Sequence, residues 1–562
     1  MSLHKKPQPS CLLLPLVVLL ALAVVLLPPA VASAGDDARP SVKAFMKELQ
    51  EGYLPLLPYK VPPQAGELDQ VLLKAMGDAR IVGLSAAVIQ GDKILWSNGY
   101  GWADLRTGRE VTPDTVFRVA SISKMFVATA LMQQYEQGKF ELDDDIGQYL
   151  GYTVRNPKYP DAKISFRHLL THTSSIQDSG GYDKLVENAP ELLPAVHIKD
   201  LLVPGGKYYD EKTFGDYAPG EQFSYSNFGT AIVASLVEIL SGERFDQYCR
   251  RHIFQPLGMD ASFEAADIRN YKEFGVLYRG DANSLLFIPR KDDFNGAKPV
   301  RTTVTAPLGN ALGYSPAGGV RTSALDLSKF MIAHINGGVY NGTAILKPET
   351  TDLMHQMHWF GADPYGFYKQ KGLNFQVTDD LIDGKRMTGH SAEAYGLIGD
   401  AFFDASDQFG LVILFNGGRY TPTVFYDIEN TVAKALASRY SPETPAGAPE
   451  ITGHDGGNRI TVNDRLIVLP VPATVRGGAV FIPEISAADA LRATIDLDKE
   501  NGILTYGFGA ARVVITAGSR EMLVNGQKVL LPEAPYNEAG HIMVPLNELN
   551  NALTTRAALN FR

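Results

Sequence analysis

The chain has 562 residues, of which 45% are hydrophobic, 20% charged and 10% aromatic, and this composition excludes a mainly disordered, collagen-like or disulfide-dense protein. At roughly 150 residues per domain, the length allows about three to four domains. The formal net charge of −10 argues against a nucleic-acid-binding protein, because such proteins present a broad basic surface.

The first 34 residues have the three parts of an export signal. A basic start at residues 4–6 precedes an apolar run from Cys11 to Leu27, and Ala32-Ser33-Ala34 supplies a small-x-small cleavage site. The apolar run is short for a membrane-spanning helix. We therefore predict a signal peptide at residues 1–34 and an exported protein, which is secreted, periplasmic or associated with the cell wall. An uncleaved signal acting as a membrane tether is the alternative.

The two cysteines of the chain, Cys11 and Cys249, have different predicted fates. Signal cleavage removes the first, so the mature chain can form no intramolecular disulfide and must depend on a large hydrophobic core. Cys249 lies in a helical apolar pattern, and we expect it to be a buried, unreactive side chain.

The hydrophobic pattern of the following region predicts both strands and helices. Alternating apolar residues predict strands at Leu84–Gln90 and Lys93–Ser97, and helical spacing predicts helices from Ser121 to Gln137, at Thr230–Leu240 and at Ala324–Ile335. Strands at both ends of a helical middle favour an α/β sandwich over alternating βαβ units.

The tetrapeptide Ser121-Ile122-Ser123-Lys124 has the spacing of a serine nucleophile and its base. Positions i and i+3 share a helix face, so Lys124 can lie beside the Ser121 hydroxyl. A partly buried lysine can lose its proton and activate a serine, and a helix N-terminus favours developing negative charge. Taken alone, the tetrapeptide is more typical of a helix-capping serine followed by a solvated lysine.

Two further motifs contain residues suited to proton transfer and substrate binding. In Tyr225-Ser226-Asn227, the tyrosine can relay a proton to a leaving group, and the asparagine can hold both a lysine and a substrate amide. In Gly389-His390-Ser391, His390 starts a predicted strand and could bind a substrate carboxylate or assist Tyr225. A core tyrosine, a helix-capping asparagine and a structural histidine are the corresponding alternatives.

The C-terminal part of the chain contains an internal repeat. Residues 441–457 are dense in Pro, Gly and Thr and predict a linker. Beyond the linker, residues 458–562 repeat with a constant offset of 62, and each unit predicts a hairpin, a strand and a short helix. The repeated landmarks are Val462-Asn463 and Val524-Asn525, Pro470 and Pro532, Gly478 and Gly540, Pro483 and Pro545, and Ala490-Leu491 and Ala552-Leu553.

The three motifs and their flanks resemble the serine β-lactamase / penicillin-binding-protein-like family, in its class C, DD-peptidase and esterase branch. This resemblance implies an α/β (α+β sandwich) fold over residues 35–440, with an antiparallel sheet, flanking helices and an all-helical subdomain. The tail resembles the copper amine oxidase N-terminal-like repeat domain and implies a small repeated α+β domain at residues 458–562. The matching segments are Phe117–Lys124, Ile164–Ser174, Tyr225–Asn227, Pro256–Met259 and Pro316–Gly319.

The resemblance also implies roles for four residues. Ser121 would attack a carbonyl and form an acyl-enzyme, Lys124 and Tyr225 would share the general-base and general-acid work, and Asn227 would orient Lys124 and the substrate amide. The motifs G-x-S-x-G and H-E-x-x-H, which characterise other hydrolases, are absent from the sequence. We expect no metal and no cofactor.

The third motif departs from the β-lactamase pattern. The resemblance implies substrate binding by His390 and Ser391, and an oxyanion hole formed by the backbone N–H groups of Ser121 and Glu393. β-Lactamases carry Lys-Thr-Gly where this chain has His390-Ser391-Ala392. The histidine is more similar to the peptidase and esterase members, and the methyl group of Ala392 could restrict the approach of a substrate backbone.

We therefore predict an exported serine hydrolase that acts through an acyl-enzyme on D-amino-acid peptides, amides or esters, with DD-carboxypeptidase-like activity as the first candidate. A class C-like β-lactamase, a carboxylesterase and a non-catalytic protein that binds penicillin or cell-wall fragments are the alternatives. The expected partner is a small-molecule or peptide substrate, such as one derived from peptidoglycan, and not a nucleic acid. The oligomeric state is left open.

Overall fold

The computed structural model describes residues 52–280, 285–361, 369–382, 385–419, 427–442, 451–454, 457–462, 465–508 and 511–557. The signal predicted at residues 1–34 lies outside these ranges, as does most of the predicted linker. None of the helices within the described ranges is both long enough and apolar enough to cross a bilayer.

The first and larger part of the described chain, up to Tyr440, alternates short strands with helices. Its strands are β1 (Leu54–Pro55), β2 (Gly83–Gln90), β3 (Lys93–Asp104), β4 (Arg109–Glu110), β5 (Phe117–Arg118), β6 (Leu277–Gly280), β7 (Leu286–Lys291), β8 (Arg321–Thr322), β9 (Val339–Tyr340), β10 (Thr343–Ala344), β11 (Trp359–Phe360), β12 (Gln370–Lys371), β13 (Gln376–Thr378), β14 (Met387–Ala394), β15 (Leu397–Asp404) and β16 (Phe409–Phe415).

Most helices of this part lie between β5 and β13. They are α1 (Glu67–Asp78), α2 (Ser123–Glu136), α3 (Ile146–Leu150), α4 (Phe166–Leu170), α5 (Gly180–Asn188), α6 (Lys199–Leu202), α7 (Asn227–Ser241), α8 (Phe245–Cys249), α9 (Ala324–Ile335), α10 (Pro348–His355) and α11 (Asp427–Tyr440). A π-helical turn, Arg250–Phe254, follows α8. Short 3-10 turns lie at Ala120–Ile122, Pro190–Ala195, Glu211–Thr213, Ala265–Asp267, Tyr271–Glu273 and Ala311–Tyr314.

An antiparallel sheet organises this part, with nine strands among the described residues. Across the sheet the order is β11, β12, β13, β14, β15, β16, β2, β3 and β4. Strands β15 and β16 are buried on both faces, because α1 and α11 cover one face while α9 and the helical region cover the other. The result is the α/β sandwich with a helical subdomain that the resemblance implied.

Local sequence signals fix the ends of the long helices. Helix α7 begins after Ser226, whose hydroxyl accepts a hydrogen bond from the Gly229 N–H at 2.8 Å, and it ends at Gly242 with φ +73°. Helix α9 occupies the range that its spacing predicted. The helix predicted to begin at Ser121 begins at Ser123 instead, because the preceding residues form a 3-10 turn. Cys249 is buried, as expected.

The C-terminal part is built from two similar units. The first contains β18 (Arg459–Val462), β19 (Arg465–Val468), β20 (Thr474–Arg476), β21 (Ala479–Pro483) and α12 (Glu484–Ala490). Each of these elements has a counterpart that begins 62 residues later, which confirms the repeat. The counterparts are β25 (Glu521–Val524), β26 (Gln527–Leu530), β27 (Tyr536–Glu538), β28 (His541–Pro545) and α13 (Leu546–Ala557).

Strands outside the repeat extend its sheets. They are β17 (Ile451–His454), β22 (Thr494–Asp498), β23 (Ile503–Phe508) and β24 (Ala511–Thr516). Strand β17, which lies inside the predicted linker, pairs with β18, while β22, β23 and β24 join the hairpin of the second unit.

The C-terminal part packs directly against the larger part. The side-chain amide of Gln356 makes two hydrogen bonds with the backbone of Val468, at 2.9 and 3.0 Å. Arg492 forms an ion pair with the buried Asp404. Met357 belongs to the hydrophobic core of the C-terminal part, and Phe360 packs against it.

Candidate active site

Ser121 lies in the 3-10 turn that precedes α2, at the edge of the helical region. The residue before it, Ala120, has φ +43°, a left-handed conformation that is strained for alanine. The turn is fixed by Ser123, whose hydroxyl accepts a hydrogen bond from the Val320 N–H at 3.0 Å. Ser121 itself is partly exposed. A serine hydroxyl is therefore presented at the surface on a rigid, buried support.

Lys124 is fully buried and its ammonium contacts three oxygens. Its Nζ donates to the hydroxyl of Ser121 at 3.2 Å, to Oδ1 of Asn227 at 2.8 Å and to the carbonyl of Ala317 at 2.9 Å. Burial lowers the pKa of Lys124 to about 7, against the opposing influence of the Asp178 carboxylate. A lysine with this pKa exchanges its proton near neutral pH, so it can serve as a base for Ser121.

Tyr225 contacts both Ser121 and Lys124. Its hydroxyl donates to the Ser121 oxygen at 2.8 Å, and its ring lies 4.6 Å from the Lys124 ammonium. The ring of His172 packs against the Tyr225 ring, with centroids 4.7 Å apart. The four residues that the motifs singled out, Ser121, Lys124, Tyr225 and Asn227, thus form one hydrogen-bonded cluster.

Asp178 completes this cluster, and no motif had indicated it. Its carboxylate accepts hydrogen bonds from the backbone N–H of Asn227 at 3.0 Å, from the Asn227 side-chain amide at 2.6 Å and from the Phe228 N–H at 2.8 Å. The Ser226 hydroxyl adds a fourth contact at 3.3 Å. Asp178 therefore fixes the orientation of the Asn227 amide, whose oxygen faces Lys124. Because Asp178 and Asn227 are 49 residues apart, sequence spacing carried no signal for their contact.

Strand β14 has an open edge beside this cluster. Its neighbour β13 pairs with it over Met387–Gly389, and beyond Gly389 the described residues place no strand on that side. The backbone N–H of Ser391 points to this edge, where the Gln376 side chain accepts it at 2.8 Å. By the alternation of an antiparallel ladder, the N–H of Glu393 points to the same edge.

The remaining residues of the third motif are largely buried. The Ser391 hydroxyl accepts a hydrogen bond from the Gln376 amide at 3.1 Å. The methyl group of Ala392 is 3% exposed and belongs to the main core, so it does not project along the open edge. Glu393 has an exposed side chain.

Two buried histidines lie next to Tyr225, and both are neutral at physiological pH. The His172 Nδ1 accepts from the Ser226 N–H at 3.2 Å, and the His390 Nδ1 lies 2.6 Å from the Ser391 carbonyl. The pKa of each histidine lies well below its usual range, mainly because the ring is buried and in smaller part because Lys371 and Lys124 are positively charged neighbours. The His390 ring is 6.3 Å from the Tyr225 ring and is fully buried. Lys371, on β12, is a buried cation that the motifs did not indicate.

A model of the beta-lactamase family matches residues 68–436, which include the whole cluster around Ser121. The chain belongs to the beta-lactamase family. The beta-lactamase family is a family of serine hydrolases. A model of the copper amine oxidase N-terminal domain matches residues 461–560. Within the described ranges, no group of three or more His, Cys, Asp or Glu side chains is arranged to hold a metal ion.

Several curated bacterial proteins are similar to the matched region. Penicillin-binding protein 4 of Amycolatopsis lactamdurans is 26% identical over 349 residues, which cover 61% of this chain and 83% of that protein. Esterase EstB of Burkholderia gladioli is 30% identical over 211 residues, covering 36% and 52%. Penicillin-binding protein 4* of Bacillus subtilis (strain 168) is 27% identical over 191 residues, covering 34% and 40%. The chain therefore spans about half or less of the length of the latter two.

Solved structures share the fold at low sequence identity. The octameric penicillin-binding protein homologue from Pyrococcus abyssi has a TM-score of 0.54 at 20% identity and covers 86% of this chain and 100% of its own. D-amino acid amidase from Ochrobactrum anthropi SV3, complexed with D-phenylalanine, has a TM-score of 0.50 at 19% identity, covering 66% and 99%. These likenesses support the β-lactamase/transpeptidase-like fold of the larger part.

Proposed function

We propose that this protein is an exported serine hydrolase that forms an acyl-enzyme on Ser121. Its proposed substrates are D-amino-acid peptides, amides or esters, and DD-carboxypeptidase-like activity is the first candidate. The main support for the proposal is that Lys124 is buried, lies within hydrogen-bond distance of the Ser121 hydroxyl and has a pKa of about 7. The substrates named for similar proteins, an ester, a D-amino acid amide and penicillin, point in the same direction.

The contacts support a proton relay in both half-reactions. Neutral Lys124 takes the Ser121 proton as the Ser121 oxygen bonds to the substrate carbonyl carbon. The former carbonyl oxygen of the substrate, which becomes negatively charged, accepts hydrogen bonds from the backbone N–H groups of Ser121 and Glu393. When the bond to the leaving group breaks, the Tyr225 hydroxyl gives its proton to the leaving group and regains one from Lys124. In deacylation, water attacks the acyl-enzyme carbonyl carbon while neutral Lys124 takes a proton from it. As the bond to Ser121 breaks and the acid leaves, Lys124 returns this proton through Tyr225 to the Ser121 oxygen, which restores the hydroxyl.

The neutral state of His390 bears on substrates that carry a carboxylate beside the reactive carbonyl. β-Lactams and D-Ala-D-Ala peptides both carry one, and the depressed pKa of His390 leaves no positive charge on that ring near pH 7 to attract it. A class C-like β-lactamase, a carboxylesterase and a non-catalytic binding protein are therefore kept as the alternatives.

A labelling and turnover experiment tests this assignment. Protein lacking residues 1–34 is incubated with a fluorescent penicillin, a p-nitrophenyl ester and a D-Ala-D-Ala peptide, beside the Ser121→Ala variant. We expect covalent label or turnover in the wild type and loss of both in Ser121→Ala. Label that persists in the variant would contradict the nucleophile assignment, whereas a wild type that is neither labelled nor active would favour the binding alternative.

Export and the domain division are separate proposals. We propose that residues 1–34 are removed, that 35–440 form the hydrolase domain, that 441–457 form the linker and that 458–562 form the repeat domain. Expression of the full chain in a bacterium, followed by fractionation and N-terminal sequencing of the exported protein, tests the first point. A chain that begins at Gly35 outside the cytoplasm is expected, and intact protein retained in the membrane would favour the tether.

A further inference from the structure

A polar cavity of about 380 Å³ lies beside the turn that carries Ser121. It is lined by four basic side chains, Arg118, Arg290, Lys291 and Arg321, and by three acidic ones, Glu264, Asp292 and Asp293. Nothing in the proton relay uses these residues. Whether the cavity can bind a charged ligand depends on which of these side chains are already paired with one another.

The acidic side chains of the cavity all have partners. Asp292 accepts two hydrogen bonds from Arg321, at 3.1 and 3.2 Å, and Asp293 is paired with Arg106 on the far side. The carboxylate of Glu264, which is 4% exposed, accepts backbone N–H groups on both oxygens. These pairings leave the basic side chains in excess.

Three of the basic side chains have no carboxylate within ion-pair distance among the described residues: Arg118, Arg290 and Lys291. Arg118 is 6% exposed, and of its guanidinium only Nε makes a hydrogen bond there, to the Gly318 carbonyl at 2.8 Å. Burial and the neighbouring positive charge of Arg321 lower the pKa of Arg118, against the opposing influence of Tyr395 and of the Asp292 carboxylate, which Arg321 already binds. A buried guanidinium in this position would be stabilised by an anion.

The cavity adjoins the nucleophile through two backbone segments. Gly318, whose carbonyl accepts a hydrogen bond from Arg118, is a neighbour of the Ala120 backbone, because a Cβ on Gly318 would lie in ordinary van der Waals contact with it at 3.6 Å. On the other side, Tyr395 follows β14, two residues beyond Glu393. Its ring lies 4.9 Å from the Arg118 guanidinium and 5.1 Å from the Lys291 ammonium.

The position of Tyr225 decides which part of a substrate would face the cavity. Tyr225, the proton donor to the leaving group, lies near His390, at the opposite end of the open edge of β14 from Tyr395. Five residues of strand separate these ends, which is about 16 Å. A substrate whose leaving group lies at Tyr225 therefore extends its acyl part toward Tyr395.

We propose that this cavity is the subsite for the acyl part of the substrate and that it binds a carboxylate carried on that part. The proposal rests on the function proposed above and narrows its substrate class to acyl groups with an anionic end. Arg118 binds the anion from the buried side, and Lys291 and Arg290 bind it from the open side. The Tyr395 ring, which lies over the Arg118 guanidinium and the Lys291 ammonium, adds an apolar surface beside these two cations.

Matched esters test the subsite with one leaving group. The p-nitrophenyl monoesters of succinic, glutaric, adipic and pimelic acid are compared with neutral p-nitrophenyl esters of equal chain length. For the best anionic ester, we expect kcat/KM to fall about 10-fold or more in Arg118→Gln and about 3- to 10-fold in Lys291→Gln, because each change removes a charged hydrogen-bond donor. The neutral esters should change less than about twofold, because they carry no group for these donors to bind.

A control variant and a second readout separate this proposal from the proposed function. Lys298→Gln removes an exposed lysine from the same loop outside the cavity and should affect neither ester. If Arg118→Gln does not fold, the Arg290→Gln/Lys291→Gln double variant replaces it. Equal losses for anionic and neutral esters, or an equal loss in Lys298→Gln, would overturn the subsite. A wild type that hydrolyses neither ester class contradicts the proposed function instead.

Calorimetry tests ligand binding at the subsite without any need for turnover. The glutaric monoester is titrated into Ser121→Ala protein, with and without the Lys291→Gln change. We expect binding that is at least about 3-fold weaker with the change, and weaker still at high salt, because exposed charges are screened. Equal binding in both proteins, or no binding in either, overturns the subsite.

Discussion

Lys124 is a buried base whose protonation state is set by its surroundings. Burial lowers its pKa to about 7, from the 10.5 of a free lysine side chain. Because the neutral amine must accept the Ser121 proton, kcat/KM should rise with pH and level off above about 7. The rising part of the pH profile of ester hydrolysis, called the limb below, measures the pKa of Lys124 directly. A profile without a limb near neutral pH would contradict Lys124 as the base.

Replacement of Lys124 by arginine should abolish the base without removing the positive charge. A guanidinium does not lose its proton in proteins, so Lys124→Arg should lower kcat/KM by about 10²- to 10⁴-fold, the usual contribution of a general base. Stopped-flow acylation of the ester measures the loss, and circular dichroism checks the fold. The exposed Lys528→Arg provides the matched control and should leave the rate unchanged.

Asp178 should affect the reaction through Lys124 and Asn227. Its charge raises the pKa of Lys124 against the effect of burial, so Asp178→Asn should lower that pKa and move the limb of the pH profile toward acid. The rate on the plateau should fall about 10-fold, because the Asn227 amide loses its charged acceptor.

The exposed Glu211→Gln, in the same region of the chain, controls for a general change in charge and should leave the limb in place. A limb that stays in place in Asp178→Asn, or moves toward alkaline pH, would contradict the predicted electrostatic effect of Asp178 on Lys124.

At the level of elements, the open edge of β14 depends on a side chain from the neighbouring strand. The amide of Gln376 binds both the N–H and the hydroxyl of Ser391 and is 1% exposed. Gln376→Ala would leave both Ser391 groups without these partners, which should cost about 1–3 kcal/mol in the free energy of unfolding.

Urea unfolding followed by tryptophan fluorescence measures this loss. The Gln90→Ala variant, at the end of β2, removes a single partly buried hydrogen bond and should cost less. Equal losses in the two variants would mean that Gln376 contributes no more than an ordinary amide.

At the level of the whole molecule, a buried ion pair joins the C-terminal part to the larger part. The carboxylate of Asp404 is buried and pairs with Arg492 across their contact. Arg492→Ala removes this partner and should destabilise the protein by about 3 kcal/mol, the lower end of the cost of breaking a buried ion pair. Differential scanning calorimetry should show a lower Tm.

The exposed Arg512→Ala, in the same C-terminal part, should change Tm little. If the Tm of Arg492→Ala matched that of Arg512→Ala, the two parts would not depend on this contact.

A chain of aromatic contacts also links the C-terminal part to the site. Phe360 packs against the core of the C-terminal part, and its neighbour Trp359 packs on Phe223 with ring centroids 5.3 Å apart. Phe223 contacts His172, which packs against Tyr225. The core of the C-terminal part therefore reaches the wall behind Tyr225 through Phe360 and Trp359, which both belong to the larger part.

Much of the fold and the cluster could be predicted from the sequence. The motifs place Ser121, Lys124, Tyr225 and Asn227 at recognisable spacings, and the 62-residue offset predicts the repeat. Asp178 could not be predicted, because its contact with Asn227 joins segments that share no local pattern. The same holds for Gln376 and Lys371, which lie on short strands without a strong alternation of apolar residues.

By itself, the sequence determined which chemical groups are available: a serine, a lysine, a tyrosine and an asparagine in the order of a β-lactamase-family protein, and a repeated C-terminal part. The tertiary structure alone decided their properties. The pKa of Lys124 depends on how completely helices from distant parts of the chain exclude water from it, and the excess of positive charge near Arg118 depends on which carboxylates reach which cations. Both depend on distances in space between residues far apart in sequence, which no local pattern contains.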